Sequence, residues 1–134
     1  MTKVLRKILG EDFETMWAAA HKAGMAAAKR LTPTPMVVTE RAVPFDDNSP
    51  IKRQWHVPDG VCGFAWVVVR PGTSAFARWA KKHKDARRNY YGGMTVKWVG
   101  EFNQSYEKKF AYARAFAEVL REAGINATPG GRLD

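Results

Sequence analysis

Residues 61–70 read VCGFAWVVVR, with six apolar side chains in succession from Phe64 to Val69. A strand without polar alternation asks for cover on both faces or for a deeply buried place at the centre of its sheet. Pro58, Asp59 and Gly60 precede it as turn residues, and the strand-like run Ile51–Val57 lies before them, so the two runs are expected to pair as a hairpin. On the far side Pro71 and Gly72 break the strand, and Thr73 or Ser74 can cap a helix.

N-terminal to this hairpin, Phe13, Met16, Trp17, Ala20, Gly24, Ala27 and Leu31 recur at three and four residues and line one side of a helix ending near Arg30. Asp12 offers its N-cap, and Val4, Leu5, Ile8 and Leu9 suggest a short separate helix stopped by Gly10. After Pro33 and Pro35, Met36–Val43 reads as a strand near a sheet edge, and Pro44–Pro50 as the most mobile interior loop. C-terminal to the hairpin, the capped helix runs to Tyr91, Gly92 and Gly93, and Met94–Val99 forms another strand. Ser105 or Asn103 then caps a long helix with a stripe of Tyr106, Phe110, Ala113, Ala117 and Leu120. Gly124 and Ile125 end it, a short strand from Ile125 to Thr128 follows, and residues 129–134 read as a tail.

The element order predicts an α+β fold: a single two-layer domain over residues 1–134, with a mostly antiparallel sheet of about four or five strands packed by three helices. The strand, helix and strand order around the last helix could close a crossover, and any parallel pairing is expected there. A chain of 134 residues, 46% hydrophobic, has material for one core. No apolar run approaches the roughly 18 to 20 residues that cross a bilayer, so no membrane partner is expected. A lone Cys62 cannot form an internal disulfide, which suits a reducing cytoplasm.

The net charge of +9 is local. Between Arg70 and Lys97 stand Arg70, Arg78, Lys81, Lys82, Lys84, Arg87, Arg88 and Lys97 against the single acid Asp85, so +7 of the +9 falls in one segment. On a helix continuing to Arg88, the residues Phe76, Trp79, Ala80, His83 and Ala86 share one side. Arg78, Lys81, Lys82, Lys84, Asp85 and Arg88 occupy the opposite arc. Such a face can neutralise phosphates and release their counterions, with Tyr90 and Tyr91 available to stack on unpaired bases. The expected nucleic-acid-binding set is Arg78, Lys81, Lys82, Lys84, Arg88, Tyr90 and Tyr91. A solvated face and an acidic protein partner are the competing readings of the same charge.

No catalytic or metal set is predicted. The His and Cys residues are scattered without ligand spacing, and no cofactor motif occurs. Cys62 and His56 would be neighbours on the expected hairpin, but Cys62 opens an apolar strand where an inert buried thiol belongs. His83 reads as a buried, hydrogen-bonded core histidine. Asp46 and Asp47 read as loop formers. Asn103–Ser105 read as ordinary caps, with Lys108, Lys109 or Arg132 able to assist an anion there.

Pro33-Thr34-Pro35-Met36, the run Asp59–Trp79 (DGVCGFAWVVVRPGTSAFARW), Tyr91-Gly92-Gly93 and Asn103–Ile125 resemble small uncharacterised proteins encoded by tailed phages and prophages. The resemblance implies a phage setting and a bacterial host cytoplasm, and it transfers no active site. It favours binding over catalysis without choosing a partner, and the +7 segment then points to an accessory binding protein contacting nucleic-acid backbone through the basic helix. The alternatives are a protein-interaction module aimed at a host or phage protein and a small enzyme built on Cys62; homo-oligomerisation is left open.

Overall fold

The structure, a computed structural model, describes residues 3–134, with side chains from Asp12 onward. One helix, α1 (Lys3–Arg30), passes straight through Gly10. The separate first helix and the N-cap at Asp12 therefore do not form; a glycine in a helix interior costs only about 1 kcal/mol, which is too little to end a helix by itself. The apolar face assigned to Val4, Leu5, Ile8 and Leu9 lies outside the described side chains.

β1 (Met36–Arg41) and β2 (Ile51–Val57) pair antiparallel with each other, Val38 opposite Trp55, to make a separate two-stranded sheet. The hairpin expected between residues 51–57 and 61–70 is thus replaced by one closed through residues 42–50. Its connection has its own internal order. The half-turn is held by Ser49, whose hydroxyl places its one proton between the carbonyls of Val43 (3.2 Å) and Asp46 (2.9 Å). Asp46 also accepts from the Asn48 amide, as a residue that shapes a loop does. The first six residues of β2 are exposed, and neither strand packs extensively on another element.

The remaining elements are β3 (Gly63–Val69), α2 (Ala75–His83), β4 (Arg87–Arg88), β5 (Met94–Trp98), α3 (Tyr106–Glu122) and β6 (Ala127–Leu133). The main sheet has the order β4-β5-β3-β6 with every pair antiparallel. An α+β fold with a central 63–69 strand is what the sequence predicted. Residues 129–134, read as a tail, are paired with β3 as far as Leu133 opposite Gly63. Among the described residues no parallel ladder forms: β5 and β6 run in the same direction, but β3 lies between them, so α3 crosses over one intervening strand.

The three helices share one side of this sheet. Ala65, Val67 and Val69 point into a core with Phe76, Ala77 and Ala80 of α2 and Tyr112, Phe116 and Leu120 of α3. Trp17 of α1 meets Phe116 edge-on at 5.0 Å. Gly24 lets α1 approach α3 closely, since a Cβ there would lie 2.6 Å from the Tyr112 ring. The Tyr112 hydroxyl is hydrogen-bonded to Nδ1 of His21, and burial pushes its pKa up, with the Glu101 carboxylate adding to the shift.

Lys108 joins the two long helices by a different route. Its ammonium donates to the carbonyls of Ala28 (2.8 Å) and Leu31 (2.9 Å), filling acceptors left over at the end of α1. Lys109 is buried with its ammonium directed at the Gly63 carbonyl. Both ammonium groups are thus directed at backbone carbonyls, and Ser105 caps the start of α3 through the Lys108 amide.

Candidate nucleic-acid interface

Ser74 caps α2 by accepting from the Ala77 amide at 3.3 Å, and the helix turns Phe76, Ala77 and Ala80 inward. That phase leaves Arg78, Lys81 and Lys82 exposed on the outer side. The expected rod to Arg88 is cut short, however. Lys84 is the C-cap and Asp85 adopts φ 60°, in the left-handed region, which lets the Ala86 amide reach back to the Ala80 carbonyl at 3.3 Å. Ala86 enters the core by this turn, and Arg87 and Arg88 continue as an edge strand against Thr95 and Met94. The basic face is therefore built from a helix and a strand.

His83 is exposed and touches the Trp79 ring at 5.7 Å, which corrects its reading as a core residue. Cys62 is half-buried in an isolated bridge to Ser105. Because β2 pairs with β1, the strand pairing that would set His56 beside Cys62 does not exist. Among the described residues no three His, Cys, Asp or Glu side chains form a metal-ligating group, and no helix is long and apolar enough to cross a membrane.

Arg78 and Lys81 from α2 and Arg88 from β4 converge on a hollow of about 400 Å³, with Gly72, Gly93 and Met94 beneath them. A Cβ on Gly72 would stand 3.2 Å from the Gly93 carbonyl carbon, a tight approach that the neighbouring backbone would have to relieve by a small shift. Arg88 also borders a second hollow of about 560 Å³, which it shares with Arg87, Lys84, Lys97, Trp17 and Trp98.

The cations of the segment separate into two groups. Lys84 is paired with Glu14 at 2.6 Å and lies over the Trp17 and Trp79 rings, and Lys97 is paired with Glu101 at 3.3 Å. Glu101 keeps a lowered pKa: burial acts to raise it, but its own backbone amide and Lys97 outweigh that effect. Arg70 donates to the Thr128 hydroxyl. Arg78, Lys81, Lys82, Arg87 and Arg88 have no ion-pair partner among the described residues. The charge available to a ligand is thus smaller than the sequence total, and it is concentrated at the α2–β4 corner.

Tyr90 and Tyr91 sit at the tip of the β4–β5 hairpin, 92% and 85% exposed, with their rings edge-on at 5.0 Å. Asn89 shapes that tip by accepting from the Tyr91 amide, and positive φ at Gly92 and Gly93 completes the reversal. Of the expected set, the fold gathers Arg78, Lys81 and Arg88, leaves Lys82 exposed and unpaired nearby in sequence, places Tyr90 and Tyr91 on the tip, and commits Lys84 to Glu14. Two residues outside that set, Arg87 and Trp98, border the same surface. Compared with protein-family models, curated proteins and solved structures, the chain finds no match.

Proposed function

We propose that this chain is an accessory nucleic-acid-binding protein that holds the sugar–phosphate backbone at the corner between α2 and β4. The setting that goes with this reading is the cytoplasm of a phage-bearing bacterium. The observation that carries it is the convergence of Arg78, Lys81 and Arg88 on one glycine-floored hollow without ion-pair partners among the described residues. Guanidinium and ammonium groups from two elements around a concave surface suit phosphate oxygens spaced along a strand, with arginine able to bind in a bidentate fashion. Lys82 and Arg87 extend the positive surface.

Contacts of this kind release counterions, so affinity falls steeply with salt and depends little on base sequence. Fluorescence anisotropy with labelled oligonucleotides at several salt concentrations tests this. Replacing Arg78 and Lys81 together by Gln should reduce the slope of log affinity against log salt by roughly 1.4 to 1.8 if each neutralises one phosphate. Affinity that is flat across salt would overturn the reading.

A second reading rests on a different region. The β1–β2 hairpin exposes Val37, Val43, Phe45, Ile51 and Trp55, with Phe45 fully exposed. A two-stranded ribbon with bare apolar side chains suits a protein partner. Retention of a single partner from bacterial lysate after nuclease treatment, lost on replacing Phe45 and Trp55 by Ser, would support it over the nucleic-acid reading.

A further inference from the structure

The side of the main sheet away from the helices carries an aromatic row. Alternation along β3 sends Phe64 and Trp66 to this side, and Trp98 of β5 lies directly across from Trp66 in the pairing register. The indoles of Trp66 and Trp98 are parallel within 7° at 5.3 Å, and Phe64 follows at 5.7 Å from Trp98. On the other flank Trp66 faces Gly130 of β6, where an added Cβ would fall within 2.4 Å of the indole nitrogen. The neighbouring strand thus gives up its side chain to make space for the indole.

Trp98 is 52% exposed, although it is among the largest apolar side chains in the protein. Its surroundings are cationic. It borders the same hollow as Arg87 and Arg88, at the edge of the sheet where Trp17 of α1 also lines it, and Arg132 lies over the Phe64 ring at 5.3 Å. Stacked rings with accessible area, bordered by guanidinium groups, match a ligand that has both planar faces and regularly spaced negative charge. Unpaired nucleotides have both, whereas duplex DNA offers phosphates but keeps its base faces stacked internally.

We infer that the Phe64–Trp98–Trp66 row is a base-stacking platform that makes the protein selective for single-stranded nucleic acid. This inference rests on the backbone-binding reading above and adds to it the class of ligand. The strand runs from the α2–β4 corner, where its phosphates meet Arg78, Lys81 and Arg88, past Arg87 to Trp98, where at least one base stacks.

The test uses the full chain with labelled oligothymidylate and with a DNA duplex of equal length. The expected result is tighter binding of the single strand, quenching of tryptophan fluorescence on binding, and a loss of roughly tenfold or more in single-strand affinity for Trp98→Leu. Leucine keeps apolar bulk without a stacking face, and circular dichroism establishes that the variant folds. Should Trp98→Leu be too poorly folded to assay, the preference of the unaltered protein for single strand over duplex, with its fluorescence change, decides the matter alone. Equal affinity for both probes, or unchanged affinity in Trp98→Leu, overturns the platform. In that case a loss of binding in Arg78→Gln/Lys81→Gln/Arg88→Gln leaves the backbone reading standing. Absence of salt-sensitive binding to either probe removes both.

Discussion

The two faces of β3 are made of consecutive residues and meet different surroundings. Ala65, Val67 and Val69 are fully buried beneath the helices, whereas Phe64 and Trp66 alternate with them on the opposite face and remain partly open. Along this strand the two largest side chains are the less buried ones. Small residues on the covered face allow α3 to approach the sheet, and the aromatic mass sits where it contributes less to the core. Val68 shows that the second face is not wholly bare, since it is 4% exposed and the Gly93 backbone lies close to it. The difference suggests that stability and recognition are divided between the faces, and this division can be tested by substitution.

Phe116→Ala on the covered side should have the greatest consequence. It removes a fully buried ring in contact with Trp17, and a loss of about 3–5 kcal/mol is expected in urea-unfolding experiments. A much smaller loss would mean that the helical layer is loosely packed and that the contrast between the faces is overstated. Alkaline pH probes the same layer through Tyr112. Its folded pKa is raised above the ordinary 10.0, so the folded state holds its proton longer than the unfolded chain does. That contribution is fully present below the unfolded value and is lost as pH rises above it. Thermal melts should therefore fall more steeply above pH 10.0 for the natural chain than for Tyr112→Phe.

On the open face, Trp98→Ala should cost only about 1 kcal/mol of stability, the scale of one lost aromatic pairing, while it impairs oligonucleotide binding. A stability loss as great as that of Phe116→Ala would place Trp98 in the core in energetic terms and remove the division. Least is expected of Glu40→Gln in the β1–β2 hairpin. Glu40 is hydrogen-bonded and ion-paired to Arg53, with Lys52 at 3.7 Å, and the Arg53 hydrogen bond holds its pKa below the usual value. Solvent screening should keep the change in melting temperature close to the limit of measurement.

Sequence made the main strand legible through its unbroken apolar run, and the last helix and the body of α1 through repeats of three and four residues, but it broke α1 at Gly10, where the helix runs on. Strand pairing was legible only in part. Pro58-Asp59-Gly60 has the chemistry of a tight reversal, yet the connection through residues 42–50 is the one that closes a hairpin, stabilised by the Ser49 hydroxyl at a distance no local propensity records. The basic segment failed in the same informative way. Its helical phase was correct as far as Ala80, His83 came out exposed, and the left-handed turn at Asp85 then redirected the chain, which no glycine or proline announced.

The surplus of positive charge was visible as a number, but which cations remain available was set by Glu14 and Glu101, far away in sequence from Lys84 or near Lys97 only across a turn. Trp98 was missed because its significance depends on lying opposite Trp66, a matter of register rather than composition. A period-two pattern of large aromatics at positions 64 and 66, on a strand whose intervening residues are small, was the available signal for an unequal pair of faces.

At the root of the β1–β2 hairpin, Gly60 lies so near Thr34 that an added Cβ would stand 2.5 Å from the Thr34 carbonyl oxygen, and the Thr34 amide is anchored by Glu107 of α3 at 3.0 Å. The chain consequently departs from the body and rejoins it through a single pinched gateway. Excising the ribbon and bridging that gateway with a short turn should leave a foldable remainder, and another hairpin could be grafted there without re-threading the rest of the molecule.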